Sequence, residues 1–448
     1  MTTPGRALTA IVAAAAIAAV GAVVARAATS TPNDQFFVEG DQWPLTGAAA
    51  SINAPLSWCR TTGAGMVIAE LSTGADFRHP DLAGKLTAGA AFISGAGDSQ
   101  HPDATGQGAV QDDAGAGTNA AGVMVAATNN GRGIAAVAPD ARALVVRVLN
   151  RSLSGHAVDI AAGIRYAQSG GARVVYLELG RGVALDGDHR VILDAIHAAA
   201  AAGAGVALPS DGPFVTGLDS SELQGLGHDA LVTGPLGPDG GVASYSQASL
   251  RANIWAPGGD SQRGASSDAH HLVTTTALLT ANPQGYDLVE GSYLAAAHAA
   301  GALAEVMALG GDGAAARHRL IGLATTRNGR PELNLGAALG ATQPCPSRGA
   351  APPGAGSAGR PGAGALATVP RNPPVPEEDA GAPDRDTGAG LTVNRSSAPA
   401  ARSRVPIAAT AAVAVAVAMA CAGLVYRRRR RQSTVAMSAE ARRELKRW

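Results

Sequence analysis

The stretch GSYLAAAHAAG, residues 291–301, is the segment on which the fold of this 448-residue chain is decided. Gly291 and Gly301 enclose an alanine-rich run that carries one aromatic residue, Tyr293, and one histidine, His298. Five further stretches precede it in the chain: MVIAELSTGADFRHPDLAGKL (66–86), DDAGAGTNAAGVMVAATNNGRGIAAVAPDARALVVRVL (112–149), RVVYLELG (173–180), GVALPSDGP (205–213) and DALVTGPLGPDGGVASYSQASLRANIWAPGGD (229–260). They contain short apolar runs bounded by Gly, Asp or Pro, the pattern of buried strands, and strands are predicted at 66–71, 143–149, 173–179, 205–209 and 229–234.

Short apolar runs alternate with helical stretches over residues 33–344. Helices are predicted over residues 156–168 and 188–202, between strands that are apolar along nearly their whole length. Strands of this kind form parallel sheets that helices cover on both faces. The predicted fold class is therefore α/β, and 46% of the residues are apolar, enough for a well-buried core.

Taken in chain order, the six stretches resemble the motifs of the subtilisin-like serine peptidases. GSYLAAAHAAG resembles the helix-opening motif G-T-S-[MF]-A-[AT]-P-H-V-A-G, which carries the nucleophile in that family. Residues 66–86 resemble V-A-V-I-D-T-G-V-D-x-x-H-P-D-L, and residues 112–149 resemble D-D-x-G-H-G-T-x-V-A-G followed by G-x-A-P-x-A. The resemblance implies a subtilisin-like three-layer fold over residues 29–345, with a mostly parallel sheet covered by helices.

The positions that carry the chemistry of this family hold other residues here. The triad aspartate, histidine and serine and the oxyanion asparagine align, in that order, with Ser72, Ala116, Tyr293 and Ser210. A serine nucleophile needs a base that takes its proton, and the base needs an acid that orients it. Alanine accepts no proton and the serine at position 72 has no charge, so these vestigial positions predict no catalytic residues.

The resemblance also places a substrate cleft along RVVYLELG, whose counterpart in the family pairs with a substrate backbone. Glu178 stands where the family has a serine, and Gly180 follows it. A cleft without a nucleophile can still hold an extended peptide by strand addition. The sequence therefore predicts a catalytically inactive pseudoprotease that acts as a binding or assembly component, with Tyr293 either lining the cleft or plugging it.

A serine endopeptidase with a relocated catalytic site is the alternative function. Ser292 adjoins the nucleophile position, but one step along a helix turns a side chain by about 100°, so this hydroxyl is expected to cap or to pack. Other polar side chains in or near the motifs are expected to be structural: His79, His101, His298, Asp76 and Asp81. The two aspartates align with surface turns of the family motif, and His101 lies in a polar loop.

Two segments of the chain indicate targeting to a membrane. Residues 1–28 have a basic start, an apolar run and an A-x-A site, which predicts a signal peptide, with an uncleaved anchor as the alternative. Residues 405–426 contain 20 uncharged residues, enough to cross a hydrocarbon core as a helix. The five arginines at 427–431 begin a basic tail, 427–448, that is predicted to lie in the cytoplasm.

Between the globular part and the predicted membrane helix, residues 346–404 contain ten prolines and few large apolar residues. This composition predicts a disordered tether. Cys59 and Cys345 bracket the globular part in an oxidising compartment, so a disulfide between them is one of two open outcomes. No spacing of cysteines and histidines suggests a metal site, no cofactor is predicted, and no basic domain with interleaved aromatics suggests nucleic-acid binding.

This layout resembles that of the mycosins, the membrane-anchored subtilisin-like proteins of type VII secretion systems. The resemblance implies a single-pass protein of the cell membrane whose large N-terminal domain faces outward. It also implies a protein or peptide partner, with membrane components of a type VII secretion system as the candidates.

Overall fold

A ten-stranded, largely parallel sheet lies at the centre of the part of the chain that the structure describes, residues 31–246, 251–263, 270–341 and 343 of a computed structural model. The strands are numbered along the chain as β1 (Val67–Ser72), β2 (Leu86–Ala91), β3 (Ala104–Thr105), β4 (Arg142–Arg147), β5 (Ser154–His156), β6 (Val174–Leu177), β7 (Ala184–Asp186), β8 (Gly205–Pro209), β9 (Ala230–Leu236), β10 (Ile254–Pro257), β11 (Val273–Thr276), β12 (Tyr286–Val289), β13 (Thr325–Arg327) and β14 (Arg330–Glu332). The order in the sheet is β13-β14-β10-β9-β8-β6-β1-β4-β2-β3. β5 with β7 and β11 with β12 form two small additional sheets.

Helices connect most of these strands. They are α1 (Gln35–Val38), α2 (Ala54–Ser57), α3 (Ala116–Val125), α4 (Ala157–Ser169), α5 (Arg190–Ala201), α6 (Pro213–Gly217), α7 (Ser220–Asp229), α8 (Ser292–Ala308), α9 (Gly313–Gly322) and α10 (Leu335–Ala338). The alanine-rich stretch that begins at Ser292 thus opens the longest of the described helices, which is almost entirely buried. At Gly301 a Cβ would lie 2.6 Å from the Val137 Cβ, so glycine is needed where this helix packs closely.

The sheet is covered by helices on both faces. α3, α8 and α9 contribute to the core on one face, and α4, α5 and α7 contribute to the core on the other. Successive residues of a strand point to opposite faces, and in β1 Ile68 packs on the α3 and α8 side whereas Ala69 packs on the α4 and α5 side. By the same alternation, Glu70 and Ser72 point toward α3 and α8.

β1 lies between β4 and β6 and pairs in parallel with both. Glu70 is in register with Tyr176, and the Glu178 N–H donates to the Leu71 carbonyl at 3.0 Å. Glu178 is therefore the first residue after β6 rather than part of the strand, and it lies beside Ser72 at the carboxyl end of the sheet.

The predicted α/β class and the mostly parallel sheet covered by helices are confirmed. The two helices predicted over residues 156–168 and 188–202 are α4 and α5, and the predicted strands at 66–71, 143–149, 173–179, 205–209 and 229–234 all overlap strands of the sheet. Near-continuous apolar runs bounded by Gly or Asp were sufficient to locate these elements because both faces of the sheet are buried.

The predicted signal peptide (1–28), tether (346–404), membrane helix (405–426) and basic tail (427–448) lie outside the described residues. Within the described ranges, no single helix is long and apolar enough to cross a membrane. α8 and α9 together, with a bend of 113° between them, have the length and composition of a broken span.

Candidate functional site

The predicted site positions gather at the carboxyl end of the parallel strands. Ser72 ends β1, Glu178 follows β6 and Ser210 follows β8. α3 begins at Ala116, and Tyr293 is the second residue of α8. Ligands of open α/β sheets bind at this edge, where strands end and helices begin.

A cavity of about 340 Å³ lies at this edge. Of the positions predicted from sequence, Ala116, Glu178, Gly180 and Tyr293 contribute to its lining, so the cleft is not filled by the tyrosine. Ser72 and Ser210 are fully buried and do not belong to the lining. The structure therefore brings four of the six predicted positions together around one space.

The first turn of α3 lies directly against the end of β1. A Cβ at Gly117 would lie 1.9 Å from the Gly74 carbonyl oxygen and 2.2 Å from the Ser72 Oγ, distances that no side chain could occupy. Glycine at this position thus lets the helix start beside Ser72, and the Gly117 N–H donates to the Thr73 Oγ1 at 3.1 Å.

Two buried glutamates lie under the cavity. The Ser72 Oγ donates to the Glu70 Oε1 at 2.7 Å, and Glu178 is only 3% exposed. The second carboxyl oxygen of each glutamate has no hydrogen-bond partner. Unpartnered buried carboxyl oxygens are costly, so this pair is a destabilising feature of the site.

Burial is the main cause of the altered acidity of both glutamates. It raises the pKa of the Glu70 carboxyl well above its ordinary value; the Ser72 hydroxyl opposes the rise, and Asp112 and Glu178 add to it. Burial likewise raises the pKa of the Glu178 carboxyl well above its ordinary value, with Asp112 adding to the rise and Ser72 opposing it. Both carboxyls therefore hold their protons above the pH at which an exposed glutamate loses its own.

Tyr293 shares the cavity wall with Ala116 and is partly buried. Its carbonyl accepts a hydrogen bond from the Tyr176 hydroxyl at 3.2 Å. Burial, followed by the negative charge of Glu178, raises the pKa of the Tyr293 phenol above its ordinary value. The phenol is neutral at physiological pH, and the residues that line the cavity include no histidine that could activate it.

Ser210 is held by its backbone rather than by its side chain. Its N–H donates to the Thr233 carbonyl at 2.9 Å, while its hydroxyl has no hydrogen-bond partner. Both carboxylate oxygens of the neighbouring Asp211 are also buried without a partner. A Cβ at Gly212 would lie 1.6 Å from the Leu179 carbonyl oxygen, so this loop packs tightly on the segment that leads to Gly180.

The histidines near the motifs have structural roles or face solvent. The His101 side chain is 84% exposed and pairs with Asp98 at 2.8 Å. The His79 ring contacts the Gly285 carbonyl at 2.6 Å. The His298 Nδ1 lies 2.8 Å from the Leu294 carbonyl, and burial lowers the pKa of this imidazole to about 4. Their geometry agrees with the structural roles expected from the sequence.

Ser292 packs, as expected, rather than capping the helix. It is 2% exposed, and a Cβ at Gly180 would lie 2.9 Å from its Oγ. The expectation that two motif aspartates lie in surface turns is wrong, because Asp76 and Asp81 are both fully buried. Hydrogen bonds compensate for that burial. Arg78 donates to the first carboxylate, and the Ile134 N–H donates to the second at 3.0 Å.

Sequence reasoning missed several acidic residues of the site: Glu70, Asp112, Asp211 and Asp287. One of them had a visible signal, because Glu70 is a charged residue inside the otherwise apolar run MVIAEL. A charge in a strand that is buried on both faces needs a partner or a proton. Asp112 and Asp211 lie in loops and Asp287 lies on β12, and sequence alone does not indicate which carboxyls gather at the site.

Cys59 takes part in a disulfide bond. Its predicted partner Cys345 lies outside the described residues, so the pairing stays a prediction. Within residues 31–246, 251–263, 270–341 and 343, no group of three His, Cys, Asp or Glu side chains could hold a metal ion.

The model of the subtilase family, peptidase family S8, matches residues 63–335, more than half of the chain. The chain belongs to the subtilase family. Subtilisin Savinase of Lederbergia lenta is 30% identical over 235 residues, which are 52% of this chain and 79% of that protein. Thermitase of Thermoactinomyces vulgaris is 41% identical over 150 residues, which are 34% of this chain and 48% of thermitase.

The solved structures agree with this assignment at the level of the fold. A protease from Pseudoalteromonas arctica PAMC 21717 superposes with a TM-score of 0.56 at 24% identity, covering 70% of this chain and all of that one. This subtilase spans less than half of the length of thermitase. Family and fold are thereby established, whereas activity, substrate and partners are matters for proposal.

Proposed function

We propose that this subtilase is a pseudoprotease that binds an extended peptide or protein segment without cleaving it. The observation that carries the proposal is the composition of the cavity wall. Ala116 and Tyr293 face the space where the family places its base and nucleophile, and Glu178 lies below them. An alanine, a neutral phenol and a buried carboxyl do not provide the paired nucleophile and base that acyl transfer needs.

The cavity supports binding because it is still present. At about 340 Å³ it lies at the lower end of the range of ligand pockets, which suits a side chain or a short stretch of peptide. The relocated serine endopeptidase, the alternative from sequence, has no such support, since Ser292 is packed against Gly180.

The same proposal includes a location and a role. The apolar segments at 1–28 and 405–426 and the arginines at 427–431 support a single-pass anchor in the cell membrane, with the subtilase domain outside. The layout supports a mycosin-like protein, and therefore a binding or assembly role in a type VII secretion system.

A fluorophosphonate probe is expected to leave the full-length protein unlabelled, because the reagent reacts only with an activated serine. Labelling should not exceed that of the heat-denatured protein, while an active subtilisin treated in parallel is labelled fully. Mass spectrometry of the digested protein locates any adduct. An adduct on Ser292 would support the relocated endopeptidase and contradict the pseudoprotease.

Protease added to intact protoplasts is expected to remove the subtilase domain and to spare the basic tail. The arginines at 427–431 should hold the tail in the cytoplasm, where the added protease cannot reach it. An antibody against residues 432–448 should detect a small protected fragment that disappears when detergent is added. Loss of the tail epitope in sealed protoplasts would show that the orientation is reversed.

A further inference from the structure

The Glu178 carboxyl is a polar group of the cavity wall that the loss of catalysis does not explain. Glu178 is 3% exposed and contributes to the cavity lining, and its Oε2 has no hydrogen-bond partner among the residues that the structure describes. The family motif has a small serine here, so this carboxyl is a feature of the present chain. A ligand that brings a donor to this cavity wall would satisfy the buried carboxyl oxygen.

The charges around the cavity favour a cation. Asp287, on β12, is a second carboxylate of the lining. Among the described residues of the lining, Arg181 is the one cation, and its Nη1 already donates to the Tyr245 carbonyl at 2.7 Å. Behind the wall, Asp112 acts on Glu178 as a further negative charge. A site of this sign attracts a basic group and repels an acidic one.

The remaining wall suits the stem of a long basic side chain. Leu153, Val183, Leu278 and Val289 contribute apolar surface to the same cavity. Lysine and arginine bury their methylene stems along apolar surface and direct the charged end to a polar partner. A cavity of about 340 Å³ accommodates one such side chain and is small for a cofactor.

We propose that this cavity binds the lysine or arginine side chain of an extended peptide, with the Glu178 carboxylate as the partner of the cation and Asp287 as a second negative charge. The inference rests on the proposed peptide-binding function and specifies the class of peptide. It places selectivity for a basic residue at a position where the family motif has serine.

Binding of a cation is coupled to the release of a proton. Glu178 is faced by Glu70 and Ser72 from β1, by Asp112 from the segment before α3, by Tyr176 from β6 and by Tyr293 from α8. Burial raises the pKa of the Glu178 carboxyl, so the empty site holds a proton that the cation must displace. Affinity for a basic peptide therefore increases with pH, by at most about tenfold per pH unit for one proton.

The test compares three labelled pentapeptides that differ only at the central residue. The full-length protein is titrated by fluorescence anisotropy with Ala-Ala-X-Ala-Ala amides in which X is lysine, norleucine or glutamate. We expect the lysine peptide to bind at least about tenfold more tightly than the norleucine peptide and the glutamate peptide to bind least, since a desolvated charge pair contributes strongly. Only the lysine affinity should rise between pH 6 and pH 8.

Three variants separate the possible outcomes. Glu178→Gln and Glu178→Ser should both reduce the lysine preference to less than about threefold and remove its pH dependence, whereas the exposed Glu39→Gln should leave both unchanged. Unfolding curves confirm that each variant is folded. Equal binding of the lysine and norleucine peptides, or an unchanged preference in both Glu178 variants, overturns this inference and leaves peptide binding intact. Failure of every peptide to bind overturns the proposed function itself.

Discussion

Restoring the triad alone, by Ser72→Asp, Ala116→His and Tyr293→Ser, is expected to leave the protein without peptidase activity. Adding Glu70→Val and Glu178→Ser, the residue types of the family motif, is expected to raise hydrolysis by about 10³-fold or more above background. The three triad residues act as a unit, and loss of the triad lowers kcat by about 10⁶-fold. A triad in which one member cannot perform its role therefore gives little hydrolysis. The motifs alone indicate the three triad substitutions, and the structure adds two neighbouring residues that oppose them.

The obstacle is the pair of buried glutamates. An aspartate at position 72 would enter a space in which the Ser72 Oγ already lies 2.7 Å from the Glu70 Oε1. Glu178 acts on the same space from β6. Three carboxyls so close together cannot all ionise, and an aspartate that shares a proton with a neighbouring glutamate is a poorer partner for the imidazole that it must orient.

Each single variant, the triple variant and the quintuple variant are assayed on an unstructured polypeptide, with fluorophosphonate labelling of position 293 as a second measure. Ser210→Asn on the quintuple background should add roughly 10²-fold by supplying an oxyanion donor. Cleavage by the triple variant would show that the glutamates do not interfere. Cleavage by the unaltered protein would place the active site elsewhere and contradict the pseudoprotease.

The elements of the fold could be predicted because their signals are local. The strands are apolar throughout, and the glycines that permit close approach, such as Gly117 and Gly301, stand at fixed places in recognisable motifs. The grouping of Ala116, Glu178 and Tyr293 at one cavity followed from the motif order, since parallel strands bring their carboxyl ends to the same edge.

The polar interior could not be predicted in the same way. Asp76 and Asp81 have the sequence context of a surface turn, but hydrogen bonds from residues distant in the chain, including Leu279 and Asn130, satisfy them when buried. Glu70 is different, since its position in an apolar strand was a visible conflict. Only the structure shows that its partner is the vestigial Ser72, and that Glu178 shares its environment.

The free energy of unfolding is expected to fall as the pH rises from 6.5 to 8, the reverse of the behaviour of proteins whose carboxylates are paired. Three buried carboxyls are responsible: Glu70, Glu178 and Glu305. Burial raises the pKa of each of them well above the ordinary value of 4.5. For Glu305, the hydrogen bond from the Ser57 Oγ at 3.1 Å opposes the rise but does not cancel it.

The sign follows from the protons bound in each state. Below pH 4.5 both folded and unfolded chains hold these protons, so the carboxyls do not affect stability there. Above that pH the unfolded chain releases them while the folded chain keeps them, and each such proton lowers the free energy of unfolding by about 1.4 kcal/mol per pH unit. The decline continues until the pH exceeds the raised pKa values.

Groups other than the glutamates also make stability depend on pH, but mainly below pH 6.5. Burial lowers the pKa of His298 to about 4 from 6.5, so the unfolded chain binds a proton that the folded chain does not, and stability rises with pH between these values. That contribution opposes the glutamates, is half complete at pH 6.5 and fades over about the next pH unit. Desolvation opposes ionisation of Asp76, but hydrogen bonds from Arg78 and Gln111 outweigh it and lower the pKa of this carboxyl. Asp76 therefore affects the free energy of unfolding only at still lower pH.

Urea unfolding of the full-length protein at intervals from pH 5 to pH 8 measures this dependence, and Glu70→Gln tests its cause. The glutamine keeps the shape of a protonated carboxyl and does not titrate, so the variant should match the wild type at pH 5 and exceed its stability at pH 8. Its slope above pH 6.5 should be shallower by up to about 1.4 kcal/mol per pH unit. The exposed Glu39→Gln should follow the wild type throughout.

A free energy of unfolding that stays level or rises from pH 6.5 to pH 8 in the wild type would contradict this account. It would mean that these carboxyls are already ionised in the folded protein, and that a group other than a proton compensates the unpartnered oxygen of Glu70.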